Sequence, residues 1–272
     1  MKSGLYIVAT PIGNLDDITL RAINILKKSD VILCENTKHS LKLLRHFDIK
    51  NAKIEKYTDH DFNKKHIQIE GLIKSDNVVS LISDAGSPII SDPGSNLIKY
   101  LFEKKCHIES IPGPSSIVSA MQLSGFYNSY PTIFLGFLPK KIEQKKKYFK
   151  NITYANIIFF TTSAQLNKDV ETLFDLDPFC KITVLNEMTK KFEKRLSFSS
   201  SEYSQIRPLV LKGEFVICVE YSGIKEIPAL SDNQILKDLT KYGSKKIYEI
   251  YRTTYNIKRN ELYKKILTIK KN

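Results

Sequence analysis

The chain has 272 residues, 42% of them hydrophobic, which is enough to bury a substantial core and suits two moderate domains better than one small module. Its net charge of +13 indicates either a polyanionic partner or a lysine-biased proteome. The four widely spaced cysteines argue against a disulfide framework or a zinc motif, as expected in a reducing cytoplasm. No apolar run approaches the roughly 18 residues of a membrane span. We therefore expect a cytoplasmic protein without membrane association.

Residues 1–114 alternate predicted strands with predicted helices. Apolar runs predict five strands, at residues 5–9, 31–34, 54–57, 78–83 and 107–111. Apolar residues at helical spacing predict the helices between them, the first capped by Asp17 and the fourth by Asp92, with Pro93 at its first position. Such alternation through short loops predicts an α/β domain with a mostly parallel, doubly wound sheet.

Four polar loops follow these strands, at residues 10–14, 35–40, 84–92 and 112–116. The carboxyl ends of parallel strands meet at one edge of a sheet, where ligands bind, so we expect the four loops to lie together. A metal held by Asp84 and Asp92 has little support, because no third ligand is apparent in the sequence. We therefore predict no metal site, and we keep two interpretations of this stretch: a cofactor loop or ordinary turn geometry.

The phosphate-binding and hydrolase motifs GxGxxG, GxxxxGK[ST] and GxSxG are absent, as is the zinc motif HExxH. What remains is a loop edge of small residues and main-chain polar groups, which suits a cofactor that brings its own reactivity. S-adenosylmethionine meets that description, although composition does not select it from other cofactors.

Residues 115–228 have a different pattern. Candidate strands at 132–135, 156–161, 181–185, 195–199 and 214–221, with helices between some of them, predict a second α/β domain with a mixed sheet. Residues 229–272 predict a basic module of three short helices, at 235–242, 245–255 and 260–269.

The positive charge is concentrated in two places. Residues 231–272 hold eleven Lys and Arg against four Asp and Glu, a net of +7 and about half of the total excess. The second concentration consists of Lys140, Lys141, Lys145, Lys146, Lys147 and Lys150. This asymmetry favours a nucleic-acid partner over a uniformly basic surface.

Four motifs occur together and in order: LYIVATPIGNLDDIT, LISDAGSPIISDPG, IPGPSS and FLGFLPKK. Their order and spacing resemble the tetrapyrrole-methylase superfamily, and within it the bacterial branch that 2′-O-methylates the ribose of a cytidine in 16S rRNA. The tail GSKKIYEIYRTTYNIKRNELYKKIL resembles the small helical module of that branch. The resemblance implies a two-domain methylase fold, S-adenosylmethionine in the cleft between the domains, a 16S rRNA or small-subunit substrate and a homodimer.

The resemblance also implies which residues contact the cofactor. Pro11 and Gly13 would shape the floor of its site, and Phe160 and Thr161 would reach it from the second domain. The remaining cofactor residues would be Ala85, Gly86, Ser87, Pro88 and Ile90, together with Ser115 and Ser116 at the start of the linking helix. For Pro11, Gly13, Pro88 and Gly113 the alternative explanation is turn geometry alone.

The chain departs from the branch at three places. EDTRH is replaced by Glu35-Asn36-Thr37-Lys38-His39, and the Glu, His and Arg of a Tyr-Glu-Ser-x-His-Arg pattern are missing after Phe160. ARELTK has become residues 185–190, which keep Glu187, Thr189 and Lys190. A ribose hydroxyl is a weak acid, so a base or a cation beside the developing alkoxide is expected, and Glu35, Lys38 and His39 are our catalytic candidates.

These patterns predict an S-adenosylmethionine-dependent rRNA 2′-O-ribose methyltransferase. The alternatives are a methyltransferase of the same fold that acts on a tetrapyrrole or a protein side chain, and a noncatalytic ribosome-binding relative, which the missing Glu, His and Arg would favour.

Overall fold

The computed structural model describes residues 1–126, 129–223, 232–255 and 259–271. Packing divides the chain into two compact units, one formed by residues 1–125 and 185–195, the other by residues 126–184 and 196–272. The domain boundaries predicted at 114 and 228 stay a prediction.

The first unit contains five strands and five helices in its described part. In chain order they are β1 (Gly4–Val8), α1 (Leu20–Lys27), β2 (Val31–Cys34), α2 (Thr37–His46), β3 (Lys53–Lys56), α3 (Phe62–Lys74), β4 (Val78–Ile82), α4 (Ser95–Glu103), β5 (Ile108–Ile111) and α5 (Ser116–Ser124). Short 3-10 helices at Leu15–Asp17 and Asp59–Asp61 precede α1 and α3.

The five strands form one parallel sheet in the order β3-β2-β4-β1-β5. Both faces are buried, as parallel sheets require. One face packs apolar residues such as Val8 and Ile32 against Leu26 of α1 and Leu44 of α2. The opposite face packs against α3 and α4. The predicted doubly wound architecture is confirmed.

Two predicted helix caps are wrong. Thr19 caps α1 by accepting a hydrogen bond from the Ala22 amide at 3.1 Å, whereas Asp17 lies in the preceding 3-10 turn. Helix α4 begins at Ser95 with Gly94 before it, and not at Asp92. The backbone is left-handed at Ile89, Ser91 and Gly94, so no helix can start until that loop has ended.

The predicted loop at residues 35–40 is shorter than expected. Asn36 accepts a hydrogen bond from the His39 amide at 3.2 Å and caps α2, which begins at Thr37. An Asn at the cap satisfies one of the free amides of the first turn. Lys38 and His39 therefore lie in a helix and not in a loop.

The described part of the second unit contains five strands and five helices. They are β6 (Thr132–Phe137), α6 (Ile142–Phe149), β7 (Ala155–Thr162), α7 (Leu166–Leu176), β8 (Lys181–Asn186), β9 (Lys194–Phe198), α8 (Ser200–Ile206), β10 (Glu214–Tyr221), α9 (Asp232–Tyr255) and α10 (Arg259–Lys271). The sheet order is β6-β7-β10-β8-β9, in which β6 runs parallel and β10 antiparallel to β7. The predicted mixed sheet is confirmed.

The C-terminal helices pack on a small core of their own, formed by Ile235, Ile247, Tyr251, Leu262 and Ile266. Gly243, with φ +73°, interrupts α9 at the turn that the sequence predicts. The predicted break near Asn256 lies outside the described residues, as do Tyr127 and Asn128 in the link between the halves. In the part of the chain that the structure describes, no helix is long and apolar enough to cross a membrane.

Candidate active site

The loops after β1 and β4 are tied together at the carboxyl edge of the first sheet. The Thr10 amide donates to the Gly86 carbonyl at 2.9 Å, and the Gly86 amide donates back to the Thr10 carbonyl at 3.0 Å. The Ser83 hydroxyl adds a third bond, to the Gly86 carbonyl at 2.9 Å. Because the strands are parallel, the loops meet at one edge, as the sequence predicts.

The loop after Gly86 holds an unusual backbone conformation. Gly86 has φ +82°, Ser91 has φ +68°, and the β-branched Ile89 has φ +77°, a conformation that costs such a residue of order 1–3 kcal/mol. The chain makes a hydrogen-bonded turn over Pro88 and Ile89, and within the described residues the amides of Ile89 and Ser91 donate to no main-chain carbonyl. Strain and open amides of this kind are typical of a loop shaped for a ligand.

A second loop lies beside this one. The Ser87 hydroxyl donates to the Pro114 carbonyl at 3.2 Å. Ser115 follows at once and caps α5 by accepting from the Val118 amide at 3.5 Å, and Ser116 is the first residue of that helix. This hydrogen bond therefore places the loop that begins at Gly86 beside the loop that leads into α5.

The start of the loop after β4, at Asp84, also lines a cavity of about 400 Å³. Its lining comes from the loop after β1, one face of α2, the start of the loop after β4, and Lys190. The lining residues are Thr10, Pro11, Ile12, Gly13, Leu15, His39, Ser40, Lys42, Leu43, His46, Ser83, Asp84, Ala85 and Lys190. This volume lies within the range of small-molecule sites.

The segment 187–190 returns to the loop after β1 and closes one wall of the cavity. The Asn14 amide donates to the Thr189 hydroxyl at 3.0 Å. A Cβ on Gly13 would lie only 2.6 Å from Lys190 Cγ and 2.7 Å from the Met188 carbonyl oxygen. Gly13 is therefore required for this close approach, which no other residue allows without displacement.

Asp84 is the only acidic side chain in the lining of this cavity. Its Oδ1 atom is buried and has no hydrogen-bond partner among the described residues. Burial raises the pKa of the Cys34 thiol, the Ser40 hydroxyl lowers it in part, and the negative charge of Asp84 raises it further. An unpaired buried carboxylate oxygen costs free energy unless a ligand supplies the missing partner.

The sequence profile of the Tetrapyrrole (Corrin/Porphyrin) Methylases matches residues 4–202. The chain belongs to this family. Among curated relatives, a protein named ribosomal RNA small subunit methyltransferase I from Rickettsia prowazekii (strain Madrid E) is 45% identical over 80% of this chain and 79% of its own length. A protein of the same name from Buchnera aphidicola subsp. Acyrthosiphon pisum (strain APS) is 33% identical over 97% of this chain and 96% of its own length.

Solved structures share the methylase fold. The methyltransferase CobJ superposes with a TM-score of 0.62 at 13% identity, covering 81% of this chain and 95% of its own. Uroporphyrin-III C-methyl transferase from Thermus thermophilus, complexed with S-adenyl homocysteine, superposes with a TM-score of 0.54 at 18% identity, covering 79% and 96%. Diphthine synthase reaches 0.57 at 14% identity, covering 80% and 89%.

The predicted cofactor residues of this methylase fall into two groups, one inside and one outside the lining of the cavity. Pro11, Gly13 and Ala85 line the cavity. Gly86, Ser87, Pro88, Ile90, Ser115 and Ser116 lie outside the lining, in the two loops that the Ser87–Pro114 hydrogen bond joins and at the start of α5. Pro88 is buried, whereas 43% of Ile90 is exposed.

Phe160 and Thr161 lie at the end of β7 in the second unit. The Phe160 ring packs against Phe134 and Phe137, with centroid distances of 5.0 and 5.4 Å. The Thr161 hydroxyl is buried and donates to Asp169. Their predicted contact with the cofactor stays a prediction.

The three predicted catalytic residues of the methylase are not equivalent. His39 lines the cavity, whereas Glu35 and Lys38 are exposed and lie outside the lining. The sequence reasoning missed Lys42 and His46, which line the cavity with His39. Their spacing, i, i+3 and i+7, is that of one helix face and would have identified them once α2 was extended back to Thr37. Within the described residues there is no group of three potential metal ligands.

Proposed function

We propose that this methylase transfers a methyl group from S-adenosylmethionine to the ribose 2′-oxygen of a cytidine in 16S rRNA. The relatives named ribosomal RNA small subunit methyltransferase I support the small-subunit rRNA substrate. One structural observation carries the proposal: a strained loop, in which amides lack main-chain partners, lies next to a cavity. That cavity contains one carboxylate, Asp84, whose buried Oδ1 has no hydrogen-bond partner among the described residues.

The expected cofactor is confirmed at the level of the family. The chain belongs to the methylases, and a structural neighbour holds S-adenyl homocysteine, the product of the methyl donor. The residues present fit this group, because the amides of Ile89 and Ser91 have no main-chain partners among the described residues and Gly86 supplies a left-handed turn. The bound cofactor supplies an electrophilic methyl group; the chain must bind it and exclude water.

The acceptor is activated by the residues of the cavity. A ribose hydroxyl gives up its proton as its oxygen forms the new bond, so a base within hydrogen-bond reach lowers the barrier. In this proposal the Asp84 carboxylate accepts that proton; its buried Oδ1, which has no hydrogen-bond partner among the described residues, supports the assignment. His39 at the cavity wall is a second candidate, and Glu35 and Lys38 retain only an indirect role, because they do not line the cavity.

The test is transfer of labelled methyl from S-adenosylmethionine to undermethylated small ribosomal subunits, followed by mass spectrometry of the modified nucleotide. We expect the label on the 2′-oxygen of one cytidine in 16S rRNA. Label on a base or on a protein would contradict the ribose assignment.

The same assay separates the alternatives. Methylation of a porphyrin precursor with none on ribosomal subunits would favour a tetrapyrrole substrate, and methylation of a protein would favour a side-chain acceptor. Absence of S-adenosylmethionine binding in calorimetry would favour a noncatalytic ribosome-binding relative.

The homodimer and the cytoplasmic location belong to the same proposal. The homodimer is supported by the family resemblance, and multi-angle light scattering of the purified chain measures it directly. A mass of one chain at micromolar concentration would contradict the dimer.

A further inference from the structure

The cavity has a neutral floor and a basic rim. The floor is made of buried residues that carry no charge, namely Thr10, Pro11, Ser40, Leu43 and Ser83. The rim is made of exposed basic residues, namely His39, Lys42, His46 and Lys190.

Three members of the rim come from a single rigid element. His39, Lys42 and His46 follow one another along one face of α2, which is a regular helix from Thr37 to His46. Leu43 and Leu44 anchor that helix in the core of the first unit. The three side chains therefore start from fixed backbone positions, which reduces the conformational freedom that a ligand must remove on binding.

These side chains are also not neutralised by neighbours. Among the described residues, no carboxylate lies within ion-pair distance of His39, Lys42 or His46. Lys190 differs, because its Nζ lies 3.1 Å from Oε1 of Glu187. The uncompensated charge on α2 is therefore that of Lys42, and the imidazoles of His39 and His46 flank it as hydrogen-bond donors, so this helix face is the part of the rim that attracts an anion.

The cofactor is not the best partner for this face. More than half of the predicted cofactor residues lie outside the cavity lining, among them Gly86, Ser87, Pro88, Ile90, Ser115 and Ser116. The cavity is thus available to the acceptor, and each ribose in RNA is flanked by phosphates that extend away from it. A basic rim around a neutral floor matches a nucleotide that inserts its ribose and leaves a phosphate outside.

We propose that the α2 face formed by His39, Lys42 and His46 binds a backbone phosphate of the acceptor RNA and so positions the reacting ribose beside Asp84. This inference rests on the proposed function for the identity of the acceptor. It adds to that function a substrate-binding site on α2. Phosphate contacts fix register without reading bases, so this face sets where the strand lies and not which sequence is chosen.

The salt dependence of RNA binding tests the proposal. The dissociation constant of the full chain for a fluorescent 16S fragment is measured between low and moderate salt, for the native protein, for Lys42→Ala with His46→Ala, and for Arg45→Ala. Arg45 is an exposed cation of the same helix that does not line the cavity, so it is a matched control. Each phosphate contact that is lost lowers the slope of log K against log salt by about 0.7 to 0.9.

We expect the double variant to lose about one unit of slope while Arg45→Ala keeps the native value. S-adenosylmethionine affinity, measured by calorimetry, should be unchanged in both. An unchanged slope in the double variant would overturn the inference, and so would loss of cofactor binding, because the α2 face would then serve the cofactor. If the slope falls as expected but no ribosomal RNA is methylated by the native protein, the phosphate site stands and the proposed function fails.

Discussion

Helix α2 of the first unit and helix α6 of the second both carry lysine, in opposite environments. Lys42 of α2 is exposed at a cavity and has no ion pair among the described residues. Lys145 of α6 has a side chain that is only 1% exposed; it pairs with Asp169, and its Nζ donates to Gln165 at 3.3 Å. The ammonium of Lys42 is therefore free to meet a ligand from solvent, whereas the ammonium of Lys145 is already paired inside the core.

The buried pair also corrects a prediction. Lys145 was one of six lysines in the segment expected to hold RNA, but its ammonium is enclosed and meets no solvent. The Thr161 hydroxyl donates to the same carboxylate, so Asp169 joins α6 to the end of β7. The remaining lysines of the segment keep the predicted RNA contact as a prediction.

The largest effect is expected when the buried cation of Lys145 is removed. We expect Lys145→Met to lower the free energy of unfolding by about 3 to 5 kcal/mol, because Asp169 is left charged in the core. Urea denaturation measures the change. Adding Asp169→Leu should restore a large part of the loss, and the exposed Lys147→Met should stay within about 0.5 kcal/mol of the native protein. A single variant as stable as the native protein would contradict the structural role.

A substitution of Asp84 in the cavity should affect the rate of methyl transfer and not the stability of the fold. We expect Asp84→Asn to reduce the rate of methyl transfer by about 10² to 10⁴, because an amide cannot accept the proton. Single-turnover kinetics on small subunits measure the rate, and calorimetry should show the cofactor affinity retained. Glu35→Gln, outside the cavity lining, should have a smaller effect. The reverse order of the two variants would make Glu35 the base.

A third change tests the wall of the cavity without altering charge. We expect Gly13→Ala to cost about 1 to 3 kcal/mol of stability, because the new Cβ would overlap Lys190 Cγ and the Met188 carbonyl. Gly71→Ala is the matched control, since nothing lies within 4 Å of its Cβ position in the last turn of α3. That variant should gain about 0.5 to 1 kcal/mol, and thermal unfolding of both distinguishes crowding from the general effect of replacing glycine.

The smallest expected effect concerns a carboxylate that is hydrogen-bonded near the surface. The Thr58 hydroxyl and amide donate to Asp61 at 2.8 and 2.9 Å and hold the pKa of its carboxyl below the usual range. A lowered pKa means that Asp61 stabilises the fold at neutral pH and that this contribution is lost as pH falls through the lowered value. Asp61→Asn should cost about 1 kcal/mol at pH 7, and the difference should shrink in acid. Unfolding free energies at several pH values measure it, and a difference that grows in acid would contradict the sign.

The parts of the site that depend on local sequence patterns could be predicted, whereas those that depend on contacts distant in the chain could not. Local patterns predicted the loops after β1, β4 and β5, because turn residues and apolar runs are read directly along the chain. They misplaced the starts of α1, α2 and α4, because capping by Thr19 and Asn36 and the left-handed backbone before Gly94 depend on short-range geometry. They gave no indication that residues 187–190 would return to Gly13, since that contact spans about 175 residues.

The alternation of strands and helices, the parallel sheet with its loops at one edge, and the motifs of the methylase family could all be predicted from the amino-acid sequence. Periodicity and motif order carry that information locally. Only the tertiary structure decided which charges are buried and which are open, because burial depends on partners far away in the chain. Lys145 is buried and pairs with Asp169 of α7, whereas Lys42 is exposed at the cavity. Asp84 has a buried oxygen without a hydrogen-bond partner in the described structure.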